Sequence, residues 1–286
     1  MKLVLGSASW RTHYGSFSKG KLSSHDIVDL LKHANNLGFF YIDTAPSYGD
    51  TEEILGRIRV SQSIARKVTV DPSDYRSISK SIELSRKRLG VEVIDLVFIH
   101  NWDVLNEYDK HKSVDEMYKC LGGASIRRWG ISTYEVHEIS KLQKNGWSNL
   151  TVQINSSVLD QRLEEFIKDQ DSNTFKILNL EIWVRSIFLQ GMLLNQSSHN
   201  PFIDNGDLAS FFNFCSGIGC SPIEICLAYV KHIGRYIDGV VLGIESLIQL
   251  KQISSSLQAE IPYFDLSFLN SKDKNLIDPR CWDIIK

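Results

Sequence analysis

Short apolar runs alternate with longer amphipathic segments along the chain, and each kind of segment occurs eight times. Apolar runs of this length are typical of buried strands, whereas apolar positions at helical spacing predict helices that bury one face. The predicted strands are Leu3–Leu5, Phe39–Ile42, Ser63–Ala65, Val93–Ile99, Arg128–Ile131, Thr151–Ile154, Ile177–Val184 and Gly239–Leu242. The predicted helices are Ser24–Asn36, Thr51–Arg57, Tyr75–Leu89, Ser113–Leu121, Tyr134–Lys144, Leu159–Asp169, Pro222–Ile233 and Ser246–Leu257.

Residues at several predicted helix ends agree with these boundaries. Ser73 and Ser221 stand just before helical patterns, where a hydroxyl caps free backbone N–H groups, and Pro222 follows at the first helical position. Gly38 and Gly90 lie just past helix ends, where a left-handed backbone favours glycine.

The alternation of strands and helices predicts parallel strands joined by crossover helices. We expect an α/β fold of the (β/α)8 TIM-barrel class, formed as a single domain over residues 1–286, because barrels of roughly 250 residues fold as one unit. An open doubly wound sheet is the alternative, but the GxGxxG turn typical of it is missing after an early strand. The longest segments predicted to be irregular are Asn195–Gly206 and Ile261–Lys286.

Composition and charge narrow the class of protein. The 286 residues carry a formal net charge of −2, with 43% apolar and 23% charged residues, which is typical of a globular chain. This charge gives no support to binding of nucleic acid or anionic membranes, and no run approaches the roughly 18 apolar residues of a membrane span. The apolar run Met1–Gly6 is too short for a signal peptide, and five cysteines without CxxC spacing indicate reduced thiols rather than a metal site. We therefore expect a cytoplasmic protein.

Four ionisable residues fall at the ends of three consecutive predicted strands. Asp43 ends the second strand, Tyr48 lies in the following loop, Lys67 ends the third apolar run and His100 ends the fourth. Each one alone has an ordinary structural explanation as a turn residue, a packing group or a solvated charge. In a parallel barrel, however, the carboxyl ends of neighbouring strands converge on one mouth, so together the four residues predict a site.

These residues lie within segments that resemble the aldo-keto reductase family in sequence and in order, from about residue 3 to residue 257. The most specific element is Asp-Thr-Ala-x-x-Tyr-Gly at Asp43–Gly49, followed by the strand-end His100. The other matching segments are Leu5–Ala8, Glu53–Gly56, Ile64–Val68, Arg88–Gly90, Gly130–Ser132, Val152–Asn155, Gln190–Leu193 and Val241–Ser246.

The resemblance implies reduction of an aldehyde or ketone to the alcohol with NADPH, or alternatively NADH, and a catalytic set of Asp43, Tyr48, Lys67 and His100. A carbohydrate-derived carbonyl compound is one expected small-molecule substrate. Hydride transfer to a carbonyl carbon builds negative charge on oxygen, which requires a proton donor and a positive field. Tyr48 is expected to donate the proton, with Lys67 lowering the phenol pKa from its usual value near 10. Asp43 would hold Lys67, and His100 would orient the carbonyl.

The resemblance also implies residues that bind the nucleotide. Ser132 and Gln153, together with Asn155, are expected to face the nicotinamide amide. Arg185 and Ser186 directly follow the predicted seventh strand. Many family members stack a tyrosine on the nicotinamide ring at the position of Arg185, and a guanidinium can stack in the same way. The residues expected to hold a phosphate after the eighth strand are Gly243, Ser246 and Gln249.

The resemblance specifies the residues that contact substrate, and the preferred nucleotide, less fully than it specifies the catalytic set. Trp10 and Trp102, with Tyr14 and Arg185, are expected to form the substrate wall from loops and strand ends at the mouth. Many family members carry a basic residue near the adenosine 2′-phosphate, whereas Glu245 stands in that neighbourhood here, so the choice between NADPH and NADH stays open.

Three alternatives bear on the function. In a second register of the third strand, Val68–Val70 belongs to the strand and Asp71 takes the position assigned to Lys67. A catalytically silent barrel could bind nicotinamide nucleotide as a regulatory or scaffold subunit. A metal-dependent hydrolase using Asp43 and His100 is disfavoured, because no histidine pair has the spacing of metal ligands.

Overall fold

Eight parallel strands close into a barrel in sequence order in the computed structural model, which describes residues 1–15, 21–169 and 179–282. The strands are β1 (Lys2–Gly6), β2 (Phe39–Thr44), β3 (Ser63–Val68), β4 (Ile94–Ile99), β5 (Ile126–Thr133), β6 (Thr151–Asn155), β7 (Glu181–Arg185) and β8 (Gly239–Gly243). β8 pairs with β1 along five residues, which closes the sheet. The predicted (β/α)8 class is therefore confirmed.

Helices surround the barrel. They are α1 (Ser24–Asn36), α2 (Thr51–Ile58), α3 (Ser77–Leu89), α4 (Glu107–Gly122), α5 (His137–Lys144), α6 (Arg162–Asp169), α7 (Gly206–Ile218), α8 (Pro222–Ile233), α9 (Leu247–Gln258) and α10 (Lys274–Ile277). Short 3-10 turns lie at Trp102–Val104, Leu189–Leu194, Ser267–Leu269 and Pro279–Cys281. Among the described residues, no single helix is long and apolar enough to cross a membrane. The bent pair α7 and α8 would be long and apolar enough only if the two helices were counted together.

The apolar residues form two layers because side chains alternate along each strand. Outward-facing residues pack against the helices in one large cluster, while Val4, Ala65, Leu96, Phe98 and Trp183 fill the inside of the barrel. Glycines leave room for the large inner rings. A Cβ at Gly130 would lie 2.8 Å from the Phe98 ring, and one at Gly239 would lie 2.9 Å from the Trp183 ring.

Most predicted element boundaries agree with the structure to within a few residues, and the differences have local causes. α4 begins six residues before the predicted Ser113, because the Asn106 side chain caps it by accepting from the Asp109 N–H. Ser73 does not cap α3, since its hydroxyl donates to Asp71 instead. Residues 177–178 of the predicted seventh strand, and residues 283–286 of the predicted irregular tail, lie outside the described residues.

Helix α7 was not predicted from the sequence. Leu208, Phe211, Phe212 and Cys215 recur at helical spacing and are buried, but the helix directly precedes α8, where the alternation of strands and helices predicts no second helix. Its start nevertheless carries a recognisable signal, because the Asn205 side chain accepts hydrogen bonds from the Asp207 and Leu208 N–H groups.

Candidate active site

A cavity of about 820 Å³ opens at the carboxyl ends of the strands, and Asp43, Tyr48, Lys67 and His100 all line it. Strand alternation explains why three of them point inward. Tyr41, Ala65 and Phe98 belong to the inner layer, and Asp43, Lys67 and His100 each follow two residues later on the same face of the sheet. The structure therefore brings the four strand-end residues together.

An ion pair between Lys67 and Asp43 joins β2 and β3 at the floor of the cavity. Both side chains are 4% exposed, so the two charges are shielded from solvent and stabilise each other. The second Asp43 oxygen, Oδ2, accepts from Gln153 Nε2 at 2.8 Å. The Lys67 ammonium also lies 5.7 Å from the centroid of the Tyr48 ring.

The position of β3 decides between the two registers of the third strand. β3 spans Ser63–Val68, so Lys67 lies within the strand and faces the cavity. Asp71 lies beyond the strand, is exposed, and accepts from the Ser73 N–H and hydroxyl. The second register, in which Asp71 takes the place of Lys67, is wrong.

Tyr48 is held by the turn between β2 and α2. Its carbonyl accepts from the Thr51 hydroxyl at 2.7 Å, and Gly49 has a φ of +67° that favours glycine. Burial raises the pKa of the Tyr48 phenol, the Asp43 carboxylate raises it further, and Arg185 opposes both. On balance the pKa of Tyr48 is raised, whereas the sequence predicted a lower value through Lys67.

His100 stands at the end of β4, where its backbone N–H donates to the Val68 carbonyl at 2.8 Å. Although the side chain is open to solvent in the cavity, partial desolvation lowers the pKa of His100 to about 4, and the charges of Lys67 and Arg185 act in the same direction. The imidazole is therefore neutral near pH 7 and carries one N–H donor.

Three buried polar side chains on β5 and β6 have unsatisfied atoms. Within the described parts of the chain, Ser132 Oγ, Gln153 Oε1 and Asn155 Nδ2 have no hydrogen-bond partner. Ser132 and Gln153 are neighbours across the β5–β6 pair. A buried polar atom left unpaired costs roughly 1–3 kcal/mol. Of the three residues only Gln153 lines the cavity, where its Oε1 could accept from the N–H of a ligand amide.

The segment after β8 borders the same cavity through Gly243, Glu245 and Gln249. Ser246 caps α9 by accepting from the Gln249 N–H at 3.2 Å, and Gln249 Oε1 accepts from the Glu245 N–H at 2.7 Å. A Cβ at Gly243 would meet no described atom within 4 Å, so the glycine leaves open space beside the cavity. A helix start next to open space is suited to binding an anion.

Arg185 and Ser186 form the wall at the end of β7. Arg185 follows the inner-layer Trp183 by two residues and therefore faces inward, and its Cζ lies 4.3 Å from the centroid of the Tyr134 ring. Ser186 has a left-handed φ of +62°, and its hydroxyl lies 3.4 Å from Asn155 Oδ1. Tyr14 completes this side, with its ring centroid 6.4 Å from that of Tyr48.

The prediction that Trp10 and Trp102 contact substrate is corrected by the structure. Both indoles are 0% exposed, and neither lines the cavity. Trp10 Nε1 donates to the Ile244 carbonyl at 2.8 Å, and Trp102 Nε1 donates to Glu138 at 2.7 Å. Each ring therefore packs beneath the mouth and has its only polar group occupied by protein.

Tyr134 and Arg280 are among the wall residues that sequence reasoning missed. Tyr134 directly follows β5, so its strand-end position could have indicated it. Arg280 comes from the tail and reaches Asp103 and Glu135, a contact across more than 140 residues that no local pattern reveals. Within the described ranges, no group of histidine, cysteine, aspartate and glutamate residues has a geometry that could hold a metal ion, and all five cysteines are free thiols.

Comparison with known proteins identifies the relatives of this chain. The family model described as "Aldo/keto reductase family" matches residues 2–273. The glyoxal reductase of Bacillus subtilis (strain 168) is 26% identical over 183 residues, or 60% of this chain and 62% of that protein. The chain thus spans less than two thirds of this relative. The D-arabinose 1-dehydrogenase of Saccharomyces cerevisiae is 23% identical over 325 residues, or 96% of this chain and 88% of that protein.

Solved structures show the same fold. The holo form of an aldo-keto reductase from Bacillus halodurans matches with a TM-score of 0.74 and 19% identity, covering 98% of this chain and 95% of that one. An aldo-keto reductase from Klebsiella pneumoniae in complex with NADPH matches with a TM-score of 0.69 and 18% identity, covering 96% and 94% of the two chains.

Proposed function

The chain belongs to the aldo/keto reductase family, and from that premise we propose that it reduces an aldehyde or ketone to the alcohol with a nicotinamide nucleotide. The observation that carries the proposal is the Tyr48 phenol in the cavity wall, with the Lys67–Asp43 ion pair and His100 in the same wall. NADPH, when bound, supplies the hydride. The residues of the chain then have to position the carbonyl and provide the proton.

Tyr48 is the proposed proton donor, through its phenolic oxygen. Because burial raises the pKa of Tyr48, the phenol stays protonated throughout the neutral range and is available as an acid. Hydride addition turns the carbonyl oxygen into a strongly basic alkoxide, which can take the proton even from a weak acid. Tyr48 lines the cavity and is only 9% exposed, so a carbonyl group bound there would take the proton from this side chain.

Lys67, Asp43 and His100 are proposed to support that transfer. Asp43 fixes the Lys67 ammonium beside the Tyr48 ring, and the positive end of this pair stabilises charge that develops on the reacting oxygen. Neutral His100 can donate its one N–H to the carbonyl oxygen and so orient it toward Tyr48. Lys67 thus acts on the charge of the transition state more than on the resting pKa of Tyr48.

The nucleotide is proposed to lie along β5 to β8. Ser132, Gln153 and Asn155 would satisfy their unpaired atoms with the nicotinamide carboxamide, and Arg185 and Ser186 would border the ring. Gly243, Ser246 and Gln249 would hold a phosphate at the start of α9. The NADPH complex of the Klebsiella pneumoniae relative supports NADPH as the proposed cofactor. NADH is the alternative, because Glu245 borders the same cavity.

The proposed substrate class is a small carbonyl compound, and a carbohydrate-derived one is included. This breadth follows the names of the relatives, one a glyoxal reductase and another a D-arabinose 1-dehydrogenase. The competing proposal is the catalytically silent barrel that binds nucleotide as a regulatory or scaffold subunit. The two differ in one property, the consumption of reduced nucleotide in the presence of a carbonyl compound.

The test compares wild-type protein with Tyr48→Phe and Lys67→Met, using NADPH and NADH with glyoxal, methylglyoxal and D-arabinose. Each substitution is expected to reduce turnover by about 100-fold or more, because it removes a group used in the transition state. Nucleotide affinity, measured by calorimetry, should change little. Tyr108→Phe is the matched control, since Tyr108 is 64% exposed and does not line the cavity.

Saturable nucleotide binding without oxidation by any carbonyl compound would favour the silent barrel. The absence of binding for both nucleotides would remove the oxidoreductase proposal altogether. If Lys67→Met keeps near-normal turnover while Tyr48→Phe loses it, Lys67 does not assist proton donation by Tyr48. That role would then fall to His100 alone.

A further inference from the structure

Arg185 faces the cavity, and none of the carboxylates in the described residues forms an ion pair with it. Its Nε atom is buried and lacks a hydrogen-bond partner among residues 1–15, 21–169 and 179–282. Burial lowers the pKa of the guanidinium and the nearby phenols of Tyr134, Tyr14 and Tyr48 raise it, so the groups acting most strongly on its charge are not carboxylates. A guanidinium in such surroundings normally has an anionic partner, because burying an unpaired charge is costly.

The other lysine and arginine side chains of the cavity wall are already paired. Lys67 forms the buried ion pair with Asp43. Arg280 binds Asp278 and Glu135 at 2.6 Å each and lies 3.4 Å from Asp103. Arg185 and Arg280 both lie 4.3 Å from the centroid of the Tyr134 ring, so they differ in pairing rather than in stacking.

Arg185 also lies close to the reacting groups proposed above. Its charge opposes the rise in the pKa of Tyr48 and contributes to the lowered pKa of His100. Electrostatic influence on both side chains requires that the guanidinium be near them in the same cavity. An anion bound to Arg185 would therefore lie beside a carbonyl group held by Tyr48 and His100.

We propose that Arg185 binds a carboxylate of the substrate, so that the preferred substrate is a carbonyl compound that also carries a carboxylate. This inference rests on the proposed function of the same site. The planar guanidinium matches a carboxylate with two parallel N–H donors. One unpaired guanidinium balances the single charge of a carboxylate, whereas a phosphate group, at about −1.5 to −2 charges, would remain under-neutralised.

Carboxylate binding is compatible with a contact between Arg185 and the nicotinamide ring. Stacking uses a face of the guanidinium, while hydrogen bonds to an anion use its N–H edge. The position that many family members give to a tyrosine would then serve two purposes in this chain. A tyrosine could cover the ring, but it could not neutralise a substrate charge.

The experiment uses three carboxylate substrates of different length, each paired with its neutral amide: glyoxylate, succinic semialdehyde and 4-carboxybenzaldehyde. The wild-type protein is expected to favour at least one carboxylate over its amide through a lower KM. Arg185→Met should reduce kcat/KM for that carboxylate by about 10- to 100-fold, the usual effect of losing a charged hydrogen-bonding partner. The amide should lose less, so the ratio of kcat/KM for the carboxylate to kcat/KM for the amide should fall by about 10-fold or more. Arg185→Lys keeps the positive charge but loses the planar pair of N–H donors. Its kcat/KM for the carboxylate should therefore lie between the values of wild-type protein and Arg185→Met.

Arg280→Met is the matched control. Arg280 also lies against the Tyr134 ring, but its charge is already balanced by Asp278 and Glu135. The preference for carboxylate over amide should survive in this variant. Binding of benzoate, which cannot be reduced, gives a second readout by calorimetry with the nucleotide present. It should be saturable in wild-type protein and lost in Arg185→Met.

The failures of the two proposals are distinguishable. Reduction of the neutral amides without any carboxylate preference overturns the role of Arg185 and leaves the proposed reductase intact. Equal losses for carboxylate and amide in Arg185→Met, with weakened NADPH binding, assign Arg185 to the nucleotide and also overturn the inference. If neither carboxylates nor amides are reduced although nucleotide binds, the proposed function itself fails.

Discussion

Asp43 directs each of its carboxylate oxygens to a different strand, one to Lys67 on β3 and the other to Gln153 on β6. The side chain is therefore fixed from both sides and cannot rotate away from Tyr48. This arrangement accounts for the electrostatic state of the phenol. Burial and the Asp43 carboxylate both raise the pKa of Tyr48, so the phenol stays protonated at neutral pH.

His100 leads to a prediction about stability and pH. Its pKa is about 4 in the folded chain and about 6.5 when unperturbed. The unfolded chain therefore binds a proton at higher pH than the folded one, which favours unfolding as pH falls from 6.5 toward 4. The contribution of His100 to stability is complete above pH 6.5 and declines through that window. Solvent in the cavity screens the effect, so a modest change is expected.

Urea unfolding at about pH 7 and about pH 5 measures this contribution. His100→Asn should lose less stability between the two pH values than wild-type protein does. His199→Asn, at an exposed position outside the cavity wall, should retain the wild-type pH dependence. Equal pH dependence in all three proteins would show that His100 titrates normally.

For single residues, position along a strand predicted which side chains line the cavity far better than residue type did. Asp43, Lys67 and His100 were identifiable because barrel topology brings consecutive strand ends together, whatever the loops do. Trp10 and Trp102 belong to loops, where spacing does not determine the direction of a side chain. Their aromatic character suggested substrate contact, but burial of a large ring was the stronger physical demand.

Among the elements, β3 shows why a strand predicted from apolar residues alone ends too early. The predicted strand stopped at Ala65, yet the observed strand continues through Arg66 and Lys67 to Val68. Arg66 faces outward, where it binds Ser81 and lies 3.6 Å from Glu52, and Lys67 faces Asp43. Charged residues interrupt the hydrophobic pattern without ending the strand, because partners on other elements neutralise them. Those partners are not apparent from the local sequence.

The contact between α2 and α3 leads to a prediction about a glycine. A Cβ at Gly56 would lie 2.0 Å from the backbone carbonyl oxygen of Arg88, so an alanine there forces the two helices apart. Gly56→Ala should reduce the free energy of unfolding by about 1–3 kcal/mol, the usual cost of overpacking. Chemical denaturation measures this change.

Gly122 at the end of α4 is the control for this substitution. A Cβ at that position would meet no described atom within 4 Å. Gly122→Ala should therefore be neutral or should stabilise the chain by up to about 1 kcal/mol, because alanine restricts the unfolded state. If Gly56→Ala is as stable as wild-type protein, α2 and α3 do not pack as closely as described.

For the whole molecule, closure of the barrel explains how residues from β2 to the tail reach a single cavity. Eight repeats of the strand–helix alternation were enough to predict this closure, because each repeat adds one strand to a sheet of limited circumference. The ion pairs of Arg280 with Asp278 and Glu135 were beyond prediction. They depend on the path of the tail across the mouth, which the alternation of strands and helices does not determine.

Direct transfer of hydride is the most direct measure of the proposed function. NADPH deuterated at C4 of the nicotinamide ring, in each of its two configurations, is incubated with the protein and methylglyoxal, and the alcohol is examined by mass spectrometry. We predict deuterium on the carbinol carbon from one configuration only, and loss of this product in Tyr48→Phe. Bound NADPH that transfers no deuterium would contradict reduction of a carbonyl group, and equal transfer by Tyr48→Phe would contradict Tyr48 as the proton donor.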